Sequence, residues 1–187
     1  TDPDGDSLTV NTVSFGATAG TPGAPLAGDW GSLVLRPDGS YTYTPSPAAQ
    51  ALGAGDSRAD VFTYSVTDLG GATAVTTLTI TVTGVNDGPV AVNDHAITPE
   101  DTPVTVAVLN NDSDPEGDPL TITAVDGKPI AVGTPVALTD PNTNTPIGAV
   151  TLTPEGTLVF TPAPGFNGPI EFPYTVSDGS TTDTAVV

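Results

Sequence analysis

Carboxylates at alternate positions are the residues of this chain best placed to do chemistry. Asp2, Asp4 and Asp6 open it, and Asp112, Asp114, Glu116 and Asp118 repeat the pattern somewhat more than 110 positions later. Both runs lead into a β-prone stretch, Leu8-Thr9-Val10 and Leu120-Thr121-Ile122. Carboxylates packed this closely repel one another unless a cation lies between them. Calcium, with roughly six to eight oxygen ligands at about 2.3 to 2.6 Å and a tolerance of irregular geometry, suits such a loop. Magnesium demands octahedral geometry and keeps more of its water, which suits a carboxylate-dense loop less well. One acidic turn alone reads equally as a solvated loop; its duplication at the same spacing is what favours a metal. An EF-hand is excluded, because its loop needs Gly at the sixth position, Glu at the twelfth and flanking helices. The first run has Ser7 and Val13 at those positions, and the second has Gly117 but Thr123.

Charge points the same way. The 187 residues carry 22 Asp and Glu against three basic side chains, Arg36, Arg58 and Lys128, for a formal net charge of -19. Salt bridges can neutralise little of this, whereas divalent cations relieve self-repulsion that otherwise destabilises a compact state. Nucleic acid is excluded as a partner, since phosphate binding needs a basic surface, and an anionic membrane is disfavoured on the same ground. No apolar run approaches the roughly 20 residues of a membrane-spanning helix. With no Cys and no Met, neither disulfides nor thiolate metal sites contribute, so bound metal is the natural staple. The chain opens inside a motif, as an excerpt of a longer protein would.

Catalysis is not expected. Nucleophilic chemistry needs an activated Ser, Cys or Lys beside a positioned base, and there is no Cys, one Lys and one His. A glycosidase needs only two spaced carboxylates, but sandwich modules in series offer little concave surface to hold a sugar chain. His95, beside Asp94, reads as a surface residue near a linker. Asn111-Asp112-Ser113 fits a glycosylation sequon by coincidence within the acidic loop. Trp30 and the tyrosines are more simply core or sheet-face residues than a sugar platform.

The elements that must position the carboxylates are strands. Leu33-Val34-Leu35, the turn Arg36-Pro37-Asp38-Gly39 and Ser40 to Thr44 read as a hairpin, with Pro and Gly at turn positions for their backbone angles. Val150-Thr151-Leu152, Thr153-Pro154-Glu155-Gly156 and Leu158 to Thr161 are its counterpart. Phe62 to Asp68 matches Phe172 to Asp178, and Thr77 to Val82 alternates with its threonines outward. No segment carries helical periodicity. Matched positions lie about 110 to 117 residues apart, a period too long for a solenoid unit and suited to a self-contained β-sandwich. The boundary falls where Asn86-Asp87-Gly88-Pro89 redirects the chain. The expected organisation is therefore all-β, with two tandem Greek-key sandwiches over 1–88 and 89–187 joined by a short acidic linker. The first is expected to lack its opening strands, and the second to stop partway through its last.

Several motifs in order carry a resemblance: Asn86-Asp87-Gly88-Pro89-Val90-Ala91, Glu100-Asp101-Thr102, Asn111 to Asp118, the Pro-Asp-Gly and Pro-Glu-Gly hairpins, and Tyr174-Thr175-Val176-Ser177-Asp178-Gly179. Together they resemble the cadherin-like repeats of large bacterial surface adhesins, the VCBS or RTX-adhesin extender domains. The resemblance covers nearly the whole chain. It implies Ig-like or cadherin-like sandwiches, stiffened by calcium, that hold a distal adhesive domain away from the cell for attachment or biofilm formation. It implies an extracellular, cell-surface location, a monomer whose partners are neighbouring repeats, and an acidic pair at Glu100 and Asp101. Glu116 stands where the first module has Asp4, a harmless exchange, and Ser180-Thr181 replaces Gly70-Gly71, which alters loop shape.

Strands that alternate in direction put the loop after the second strand and the loop before the last strand at one end of a sandwich. Asn86, Asp87, Asp112, Asp114, Glu116, Asp118 and Asp178 are then expected to converge where the linker enters the second module. Asp2, Asp4, Asp6 and Asp68 form the matching set in the first. Asp56 and Asp60 belong to that module's opposite end. The alternative to a spacer is an adhesive binding module for a glycan or a second copy, which would expose an aromatic or apolar patch of several hundred Å².

Overall fold

The structure is a computed structural model and describes residues 5–187. Internal contacts divide the chain into two units, Thr1–Asn86 and Asp87–Val187. Both are built almost wholly of antiparallel strands.

In the first unit, β1 (Thr9–Phe15), β2 (Thr18–Gly20), β6 (Ser57–Thr67) and β7 (Thr73–Thr83) form one sheet in the order β2-β1-β6-β7. The strands β3 (Pro25–Ala27), β4 (Gly31–Leu35) and β5 (Tyr41–Pro45) form the other in sequence order. A 3-10 turn at Pro47–Ala51 leads from β5 toward β6. Val10, Val13 and Phe62 of the first sheet pack against Leu26, Leu33 and Leu35 of the second, so the core lies between the sheets. Alternation explains this: β4 buries Gly31, Leu33 and Leu35 and turns Ser32 and Val34 outward. The long β6–β7 hairpin keeps continuous register from Ser57↔Thr83 to Thr67↔Thr73. Along β7 the threonines are exposed while Leu78, Ile80 and Val82 are half-buried, as the sequence period requires.

The second unit repeats the plan. One sheet runs β10-β9-β14-β15, from β9 (Thr121–Val125), β10 (Lys128–Pro129), β14 (Pro173–Ser177) and β15 (Thr182–Val186). The other runs β11-β12-β13-β8, from β8 (Val104–Val106), β11 (Pro135–Thr139), β12 (Pro146–Leu152) and β13 (Leu158–Pro162). Val150, Leu158, Val125, Tyr174 and Val176 are fully buried between the sheets. Correspondence with the first unit extends to irregularities. Register shifts between Val10 and Thr12 on β1, and at the matching place where β14 meets β9. The two read hairpins share one turn: Gly39 donates to the Arg36 carbonyl and Gly156 to that of Thr153, with φ of 84° and 79°. That left-handed backbone is why glycine ends both turns.

Candidate functional site

The acidic loop of the second unit is shaped by its own first carboxylate. Asp114 Oδ1 accepts the N–H groups of Glu116 at 3.0 Å and Asp118 at 3.1 Å, and Gly117 donates to the Asp114 carbonyl at 3.1 Å. The chain curls over its acid groups as a result. Asp114 Oδ2 and both carboxylate oxygens of Glu116 are buried and accept no hydrogen bond. Desolvation, then the Asp87 carboxylate, then that of Asp114 push the Glu116 carboxyl above its ordinary range. The backbone N–H groups of Asp87 and Glu116 oppose this shift without reaching hydrogen-bond geometry.

Buried acceptors left unpaired cost free energy, and a protein rarely keeps several together. Three such oxygens beside a further carboxylate have the chemistry of a hard-cation site: a divalent ion would satisfy the orphaned oxygens and reverse the upward pressure on Glu116. Calcium fits this donor set. As they stand, no three His, Asp or Glu side chains among the described residues draw together closely enough to hold an ion.

The other carboxylates named from sequence are placed as follows. Asp87 is half-buried, and its carboxylate acts more strongly on Glu116 than that of Asp114; Asn86 precedes it as the last residue of the first unit. Asp118 is exposed. Asp112 turns inward, accepting from the Val92 N–H at 2.8 Å and from the Tyr174 hydroxyl at 3.2 Å. Asp178 closes its own turn, accepting from Ser180 N–H, Thr181 N–H and the Thr181 hydroxyl. Its first-unit counterpart Asp68 does the same with Ala72 N–H at 2.8 Å. Asp101, at a φ of 59°, accepts from Gly165 N–H, and Glu100 beside it is exposed. Asp6 is exposed, while Asp2 and Asp4 lie outside the described residues.

Two polar centres went unread in the sequence. Asp60, expected in an end loop, is completely buried in β6. It accepts from Asp29 N–H at 3.0 Å, Trp30 N–H at 3.2 Å and the Tyr43 hydroxyl at 2.7 Å, and burial followed by this carboxylate pushes the Tyr43 hydroxyl well up. Gly28 makes room: a Cβ there would sit 2.1 Å from Asp60 Oδ2. In the second unit the Tyr174 hydroxyl is 3.0 Å from Val92 O and from Asp94 Oδ2, and 3.2 Å from both oxygens of Asp112. Desolvation, with Asp112 adding to it, raises the Asp94 carboxyl. Asp183 completes the strap by accepting from Ala91 N–H at 2.9 Å. These centres hold chain segments to the sheets.

Each unit matches a known domain family. Residues 86–187 match the bacterial Ig domain family, and residues 1–84 match the bacterial cadherin-like domain family. A protein of Rhizobium johnstonii named calcium-binding lectin RapA2 is 36% identical over 103 residues, an alignment that covers 54% of this chain and 44% of that relative. The chain thus matches less than half the length of the relative.

Proposed function

This chain belongs to the bacterial Ig domain family, joined to a bacterial cadherin-like domain, and from that premise we propose that its two sandwiches are calcium-binding extender repeats of a bacterial cell-surface adhesin. The observation that carries this reading is the trio of buried, unpaired oxygens on Asp114 and Glu116. Asp114 and Glu116 would hold the ion, with Asp87 as the neighbouring charge. Bound calcium would supply positive charge where desolvated carboxylates now oppose one another, and would pin the segment entering the second unit to its acidic loop. Fixing that entry segment is how calcium would stiffen a tandem array. The relative's name supports calcium as the ion. A spacer needs no cleft and no adhesive patch, and the exposed threonines of β7 are consistent with that.

Calorimetric titration with calcium, alongside melts in calcium and in EDTA, tests the reading. Binding to the folded state raises stability by mass action, about 2.7 kcal/mol when free calcium is 100 times the dissociation constant. Glu116→Gln should weaken calcium binding about tenfold or more, since it removes charge from two orphaned oxygens. It should not destabilise the calcium-free protein, because it also removes a repulsion. Equal calcium responses in the two proteins would sink the assignment to this loop.

A second reading has one observation in its favour. The relative is named a lectin, and the half-buried Trp30 ring has the Arg58 guanidinium 5.6 Å from its centroid, a pairing able to stack a sugar. A glycan array probed with the wild type and Trp30→Ala separates an adhesive module from a spacer.

A further inference from the structure

The segment that enters the second unit meets its acidic loop along one short antiparallel bridge. Val90 N–H donates to the Ser113 carbonyl at 2.7 Å, and Ser113 N–H donates to that of Val90 at 3.1 Å. In antiparallel pairing each step back on one chain meets a step forward on the other, so this register carries Asp87 toward Glu116. Asp87 is also the residue whose charge bears most on Glu116.

Two steps the other way, the same register brings Val92 to Asn111, and there side chains grip the backbone. Asp112 Oδ1 accepts the Val92 N–H at 2.8 Å, and the Asn111 side-chain amide donates to the Val92 and Asn93 carbonyls at 3.1 and 3.2 Å. The Tyr174 hydroxyl lies 3.0 Å from Val92 O and 3.2 Å from each oxygen of Asp112. It therefore touches both limbs at once, from a ring wholly buried between the sheets. On the other side of the segment, Asn93 Oδ1 accepts the Val186 N–H at 3.0 Å, and Asp94 N–H donates to the Val186 carbonyl at 2.9 Å.

We propose that Tyr174, acting through Val92 and Asp112, is the positioning residue that fixes the spacing of the two limbs of the candidate ion site and so favours calcium over magnesium. The proposal rests on calcium being the ion of that site. Asp87 stands on one limb, and Asp114 and Glu116 stand on the other. Neither limb belongs to a strand, so their separation is set by what clamps them. Anchoring the clamp in the core ties that separation to the sandwich. Calcium accepts about six to eight oxygens in irregular arrangements, whereas magnesium needs its ligands to close to a regular octahedron at about 2.0 to 2.1 Å. Limbs held at a set distance suit the first and resist the second. Groups that orient ligands without touching the ion typically control about 10- to 100-fold in affinity.

The test titrates calcium and magnesium separately into the whole, chelator-stripped 187-residue chain, at a temperature where near-ultraviolet circular dichroism shows each variant folded. Tyr174→Phe keeps the ring and deletes the hydroxyl. It should lower calcium affinity about 10- to 100-fold and magnesium affinity less, narrowing the preference between the ions. Asn111→Ala, at an exposed position that spares the core, should do the same, and it carries the test if Tyr174→Phe does not fold. Val150→Ala truncates the core from the sheet that does not hold Tyr174. It should lower the melting temperature and leave both affinities unchanged. Unchanged calcium affinity in either clamp variant, once folded, would overturn the proposal. So would an equal loss for both ions, or a loss in Val150→Ala that matches theirs. A wild type that binds no calcium would overturn the calcium reading as well, whereas the other failures leave that reading standing.

Discussion

Asp60→Ala isolates what a single buried carboxylate does for the first unit. The substitution strips the acceptor from three part-buried donors: Asp29 N–H, Trp30 N–H and the Tyr43 hydroxyl. Each orphaned donor costs about 1 to 3 kcal/mol, and water reaching the vacated space offsets part of this. The expected loss is about 3 to 5 kcal/mol, the three such costs together less that offset. That is a large share of the roughly 5 to 15 kcal/mol that holds a domain folded. Trp30 is the only tryptophan, and its own N–H is one of the three donors, so its fluorescence reports this unit. For a urea slope of about 1.5 kcal/mol per molar, the unfolding midpoint should fall by about 2 to 3 M. Asp60→Asn keeps an acceptor but turns an NH2 toward N–H donors, and should lose about half as much. A shift below about 0.5 M for the alanine variant would refute the reasoning, because the turn Gly28 to Gly31 would then be held by packing alone.

Two further outcomes concern the second unit. Tyr174→Phe removes the one hydroxyl shared by Val92 O, Asp94 and Asp112 and should cost about 1 to 3 kcal/mol by calorimetry, while Tyr64→Phe at the matching place in the first unit should be nearly silent. In calcium-free buffer, acidification should first stabilise this unit and then destabilise it. Asp94 and Glu116 have carboxyls raised above their ordinary 3.8 and 4.5, so the folded state takes up protons before the unfolded chain does, and stability grows as pH falls from neutral toward those values. Asp183 and Asp140 are held below 3.8 by backbone N–H bonds, so their contribution is present above that value and is lost as pH falls beneath it. Melts from pH 7 to pH 3 on the wild type and on Asp94→Asn check both limbs, and a first limb unchanged in the variant would count against the Asp94 assignment.

The hairpins, the repeat and the outward threonines were legible because each depends on short-range chemistry: glycine for left-handed turns, alternation for sheets. The fate of individual carboxylates was not. Asp60 stands in an acidic, glycine-containing stretch that reads as a loop, yet its burial is decided by Gly28 and Tyr43, 32 and 17 positions away. Asp112 belongs by spacing to the same run as Asp114, but a hydroxyl 62 positions downstream draws it inward. Alternate spacing announces a concentration of charge; which acids lose their water is settled by tertiary packing. Asp183, flanked by threonines, gave no signal at all, because its partner is a backbone N–H 92 positions away.

The polar centre around Asp60 bears on how two adjacent, similar sandwiches avoid trading strands during folding. Tandem neighbours with alike sequences misassemble by exchanging equivalent segments. With Tyr64 matching Tyr174, the position equivalent to Asp60 is Ile170, which packs against the apolar core of the second unit. A first unit assembled with the second unit's segment would set Ile170 where Asp29, Trp30 and Tyr43 need an acceptor. The reciprocal exchange would set a carboxylate at a half-buried position that packs against the apolar core. Either chimera carries a penalty of several kcal/mol, so one aspartate acts as a proofreading mark that lets each sandwich recognise its own strands.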